Sequence, residues 1–107
     1  MMSIGGRGVI CVVSNEIPKE IAQMVEAAER GDFAAARAAH QRLLPLMLVN
    51  FCESNPIPVK AAMAAMGLIE ENYRLPMVPP RSESRTKILN VLREAGLLKN
   101  VSAKVGA

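Results

Sequence analysis

Residues 8 to 13, Gly-Val-Ile-Cys-Val-Val, read as a β-strand, and nothing else in the chain offers that strand a partner. The run is continuous, apolar and rich in β-branched side chains. It follows Gly5 and Gly6 and closes on Ser14 and Asn15, as does a strand covered on both faces in a parallel sheet. The other short apolar pieces, Leu48-Val49-Asn50, Leu75 to Pro80 and Asn100 to Val105, are too short or too rich in proline to be its neighbours. A stable sheet needs about three strands. Residues 8 to 13 are therefore expected either to join the sheet of a partner or to be recruited into other structure.

Everything after Pro18 has helical spacing. Ile21, Met24, Val25 and Ala28 fall at i, i+3, i+4 and i+7, with Pro18 at the first helical position and Gly31 as the stop. Asp32 caps a longer helix whose inward stripe is read as Phe33, Ala36, His40, Leu43, Leu44, Met47 and Phe51. Pro45 lies inside that helix, removes one backbone bond and predicts a kink. Asn55 and Pro56 are read as cap and first residue of a third helix, rich in alanine and ended by Gly67. Residues 74 to 84 hold three prolines and form a connector. Ser82 or Ser84 then caps a last helix with Ile88, Leu89, Leu92 and Ala95 on its buried stripe and Gly96 as its stop. The expected class is mainly α, four helices after one short apolar strand.

With 107 residues, the chain holds one modest core, and its 3% aromatic content leaves Leu, Ile, Val, Met and Ala to fill it. A net charge of +3 raises nucleic acid as a partner. However, Arg74, Arg81, Arg85, Lys87, Arg93, Lys99 and Lys104 are spread over the last third, diluted by Glu83 and Glu94 and without interleaved aromatics, so no nucleic-acid partner is expected. No apolar stretch reaches the roughly 18 residues of a membrane span, and no signal peptide is read at the N-terminus. Cys11 and Cys52 read as reduced thiols in a cytoplasmic protein.

Few residues form a site by spacing. His40 is the sole histidine, which excludes a His/Cys metal set, and neither cysteine belongs to a CxxC pair. Gly5-Gly6-Arg7-Gly8 precedes the apolar run, whereas a phosphate loop follows a strand and opens a helix. Glu70 and Glu71 are adjacent, so their side chains diverge, and they read as a solvated acidic turn. Lys60 has the chemistry of an amine nucleophile, but among small helical residues it reads as an ion-pairing lysine, with Glu53 as one candidate partner.

Taken in order, GGRGVICVVSN, GDFAAARAAHQRLLPLM, NPIPVKAAMAAMGL and RLPMVPP resemble the C-terminal part of the dihydrodipicolinate synthases, in the pyruvate-dependent aldolase family that also contains N-acetylneuraminate lyase. The resemblance runs from about Ile4 to Leu98, and the segment NPIPVK favours the synthase branch. Cys11 stands where the family usually has Ser. The resemblance implies that residues 1–31 are the last strand and helix of a (β/α)8 barrel, residues 32–98 a C-terminal helical domain, and residues 99–107 a tail. It further implies a homo-oligomeric lyase that forms a Schiff base with pyruvate and condenses it with aspartate semialdehyde, on the route to diaminopimelate and lysine, with no cofactor and no metal.

The catalytic lysine, the proton-relay tyrosine and the threonine pair of that family belong to earlier strands and loops, so no catalytic residue is assigned to this chain. Lys60 and Tyr73 match none of them. One position carries over: Ile10, whose counterpart presents its backbone carbonyl toward the lysine and bound pyruvate. Met1-Met2-Ser3-Ile4 stands where the preceding helix is expected, so the chain is read as a truncated synthase without turnover of its own. The alternatives are a self-associating helical module and a piece that complements a separate barrel body.

Overall fold

A computed structural model describes residues 1–98. Four helices follow in order: α1, Pro18–Glu29; α2, Phe33–Val49; α3, Ile57–Ala65; and α4, Ser82–Glu94. Two 3-10 turns, Met2–Ile4 and Val12–Asn15, precede them. The tail expected over 99–107 lies outside the described residues.

The described residues contain no β-strand, which corrects the strand expected at 8 to 13. Residues 6 to 11 have no regular structure, and the chain then winds into the second turn. The reason is the missing partner. Without a ladder, the end of the run closes into a local turn. The amides of Glu16 and Ile17 both donate to the carbonyl of Val13 at 3.0 Å, and the Ser14 hydroxyl donates to the Cys11 carbonyl at 2.7 Å. Of the apolar run only Val13 is buried.

The helix ends follow local rules. Pro18 opens α1, where its absent N–H costs nothing. Gly31 ends it at φ +81°, with the Gly31 amide bonded to Ala28 and the Asp32 amide to Ala27, a Schellman closure. The Asp32 side chain then accepts from the Ala35 amide at 3.1 Å and caps α2. Gly67, at φ +80°, closes α3 in the same way through its own amide and that of Leu68.

Two helix starts differ from the expectation. Helix α3 begins at Ile57 rather than Pro56: Pro56 is the cap, Pro58 sits in the first turn, and Asn55 lies outside. A proline tolerates that first turn because the amide it lacks has no intrahelical acceptor there. Helix α4 begins at Ser82, with Arg81 as its cap residue and no capping side chain from Ser82 or Ser84.

The register of α2 is also shifted. The helix runs through Pro45, and its buried residues are Leu43, Leu46 and Val49. Leu44 and Met47 are half-buried, while Phe33, His40 and Phe51 are exposed. The C-terminal half of α2 packs into the core, whereas its N-terminal half lies beside α1 under an open groove. One core joins these elements: Val13, Ile17 and Ile21 meet Leu43, Leu46 and Val49, together with Ala61, Ala62, Ile88, Leu92 and Leu98. Ala61 and Ala62 are almost completely buried, and side chains this small allow close approach to α3.

Candidate functional site

Ile10 lies in the irregular segment before the Val12–Asn15 turn, with its side chain fully exposed. Its neighbours Gly8 and Val9 line an open groove of about 610 Å³, together with Met2, Met24, Val25, Ala28, Phe33 and His40. The apolar faces of α1 and of the first half of α2 form its floor. His40 thus faces a groove rather than the core, and among the described residues no group of three or more His, Cys, Asp or Glu side chains is placed to hold a metal ion.

The connector between α3 and α4 carries the densest polar cluster. Arg85 of α4 binds Glu71 through both terminal nitrogens, Nη1 to Oε1 at 3.0 Å and Nη2 to Oε2 at 2.6 Å. The Tyr73 hydroxyl donates to the same Oε2 at 2.9 Å. Lys60 of α3 donates from Nζ to the Asn72 carbonyl at 3.0 Å and lies 5.9 Å from the centre of the Tyr73 ring. The Arg85 guanidinium holds the Glu71 carboxyl below the usual carboxylate range, against partial burial. Burial, and then Glu71, push the Tyr73 hydroxyl up to about 12.

These groups bind one another and strap the connector to two helices. Lys60 is occupied in that strap and does not meet Glu53. Glu71 is bonded into it as well, although both Glu70 and Glu71 remain exposed, as expected of a solvated acidic segment.

Glu53 has a different task. Its Oε2 accepts the Arg81 amide at 2.8 Å, and the Arg81 side chain approaches to 3.7 Å. The buried Ser84 hydroxyl, and then the Arg81 amide, hold the carboxyl below its usual range. Glu53 therefore caps α4 from the loop after α2, and its charge sits at the positive end of that helix. The only signal for it in the sequence is negative: Arg81, the residue before α4, cannot accept the orphan amides itself.

A second missed feature is the pair Glu16 and Asn50, both buried. Asn50, at the end of α2, donates from Nδ2 to Glu16 Oε1 across 34 residues of sequence. Burial, partly offset by that bond, pushes the Glu16 carboxyl up to about 7. No spacing rule links two such distant polar residues, and neither lies on a sequence motif of acid–base chemistry.

Comparisons with known proteins fit this arrangement of elements. Residues 1–95 match the model of the dihydrodipicolinate synthetase family. A 4-hydroxy-tetrahydrodipicolinate synthase from Koribacter versatilis is 55% identical over 102 residues, which are 95% of this chain and 34% of that protein. The crystal structure of dihydrodipicolinate synthase from Thermotoga maritima superposes with a TM-score of 0.87 at 45% identity, over 91% of this chain and 33% of that one. A chloride-inhibited dihydrodipicolinate synthase from Acinetobacter baumannii, solved with pyruvate, gives a TM-score of 0.85 at 38% identity, over 90% and 33%. The chain thus spans about a third of the length of the relatives it matches.

Proposed function

Because this chain belongs to the dihydrodipicolinate synthetase family, we propose that it serves as the C-terminal portion of a synthase that condenses pyruvate with aspartate semialdehyde through a lysine Schiff base. The observation that carries this reading is the match of over nine-tenths of the chain to one third of such enzymes. In the assembled enzyme residues 1–31 supply the last strand and helix of the barrel, residues 32–98 the helical domain and residues 99–107 a tail. Residues 8 to 13, unpaired here, gain neighbouring strands there, and the Ile10 carbonyl turns toward pyruvate. The exposure of Val9 and Ile10 supports this, since a segment meant for burial on both faces has no cover in the isolated chain. The enzyme acts in the cytoplasm as a homo-oligomer.

By itself the chain has no turnover. Lys60, the one lysine of α3, is engaged by the Asn72 carbonyl, and the neighbouring Tyr73 hydroxyl is bonded to the Glu71 carboxylate, which Arg85 also holds. Incubation with pyruvate, borohydride reduction and intact-mass measurement test this. The expected spectrum shows only the unmodified chain, and a reduced pyruvate adduct on any lysine refutes it.

Self-association is the second reading, favoured by the open apolar groove and by exposed Ile4, Ile10 and Phe33. Light scattering of the purified chain decides it: a monomer across the concentration range excludes this reading and leaves the first intact.

A further inference from the structure

Glu16 and Asn50 supply the two buried side-chain atoms that lack a hydrogen-bond partner among the described residues: Glu16 Oε2 and Asn50 Oδ1. Both are acceptors when the carboxyl is ionised, so in that state neither finds a donor among the described residues, and an unpaired buried acceptor is costly. They also belong to the two groups already joined by the bond from Nδ2 to Oε1. A single proton on Oε2 resolves both deficits at once, because a carboxylic acid and a carboxamide are complementary: each offers one donor and one acceptor to the other.

We propose that Glu16 and Asn50 form a neutral acid–amide pair, Oε2–H donating to Oδ1 while Nδ2 donates to Oε1, and that release of this proton to solvent unlatches the Val12–Asn15 turn from the end of α2. The position of the pair makes it a latch. Glu16 closes the 3-10 turn, and its amide bonds to Val13, whose side chain is in the core. Asn50 closes α2, its amide bonded to Leu46. The two side chains are the polar link between the N-terminal segment and the helices that follow.

No neighbouring charge replaces the proton. The turn packs against α1, α2 and α3. Titratable groups on α1 are Lys19, Glu20, Glu26 and Glu29; α2 carries Arg37, His40 and Arg42; α3 carries Lys60. None of them bonds to the Glu16 carboxyl, whose one partner is Asn50. Burial pushes the carboxyl up to about 7 in the folded chain from its ordinary 4.5. The folded state therefore holds this proton more tightly, so the stabilisation is complete below 4.5 and is lost as pH rises toward 7. Within that window the ratio of folded to unfolded chain falls about tenfold per pH unit.

The test is urea unfolding of the full chain from pH 4.5 to 8, comparing wild type with Glu16→Gln, alongside carbon NMR of the Glu16 carboxyl. The expected result is a wild-type stability that declines up to about pH 7, a Glu16→Gln variant without that decline, and a carboxyl carbon that titrates near 7. Parallel profiles for the two proteins overturn the proposal. If Glu16→Gln does not fold, the wild-type carbon titration decides alone, and a midpoint at or below 4.5 overturns it.

Discussion

Replacing Leu92 with Ala tests whether α4 is an integral wall of the core. Leu92 is completely buried, on the same helix face as Ile88, and joins Leu46 of α2 and Ala61 and Ala62 of α3 in one cluster. Truncation removes the transfer energy of the lost carbons and leaves a cavity that close-packed neighbours fill only in part, together about 3–4 kcal/mol. A chain of this size has a total stability of about 5–15 kcal/mol, so one substitution removes about a fifth or more of it. With a urea dependence of about 2 kcal/mol per molar, the midpoint should fall by about 1.5–2 M. Far-UV circular dichroism during urea unfolding reads this directly. Leu48→Ala is the control: Leu48 is 64% exposed on α2, and its loss should change stability by no more than about 0.5 kcal/mol. If Leu92→Ala costs under about 1 kcal/mol, or no more than the control, α4 does not close the core as described.

Two further substitutions probe the connector and a helix end. Arg85→Met removes both bonds to Glu71; the pair is about one-third exposed, so the expected cost at neutral pH is about 0.5–1 kcal/mol. Because Glu71 is held below its ordinary 4.5, that difference is complete above 4.5 and shrinks as pH falls through the lower folded value; a gap that persists unchanged in acid refutes the pairing. Gly67→Ala places a side chain at φ +80° with no atom within 4 Å of the new carbon, so the cost is conformational alone, about 1 kcal/mol in a thermal melt, and a neutral result refutes the left-handed closure of α3.

What the sequence discloses here is what a few adjacent residues decide among themselves. Pro18, Gly31, Asp32, Gly67 and Gly96 mark helix ends through amides and dihedral angles within one turn, so their roles are legible without a fold. The stripe on α2 is less so. Apolar residues occur on more than one side of that helix, and only its neighbours select Leu46 and Val49 over Leu44 and Met47. Least legible are bonds across long stretches of sequence: Glu53 capping α4 and Asn50 meeting Glu16 obey no spacing rule, because the fold itself brings them together. In each case a polar side chain on one element completes the backbone or carboxyl of another.

Residues 8 to 13 and 55 to 68 differ in where their constraints come from. The second stretch buries Ile57, Pro58, Val59, Ala61 and Ala62 inside this chain, and its lysine straps the connector, so its composition is explained by contacts that are present. The first stretch carries the composition of a strand covered on both faces, yet Ile10 is fully exposed, and only Val13 is buried in the core, with Cys11 partly buried against it. Within residues 1–98 the run is used only at its end: Val9 and Ile10 expose apolar surface without forming a ladder, while Cys11 is the cap residue of the Val12–Asn15 turn and its carbonyl accepts the Ser14 hydroxyl. In the enzyme proposed above, flanking strands outside residues 1–98 would answer the demand that this composition makes. The segment that fits worst in the isolated fold is also the one that the proposed enzyme would place beside pyruvate.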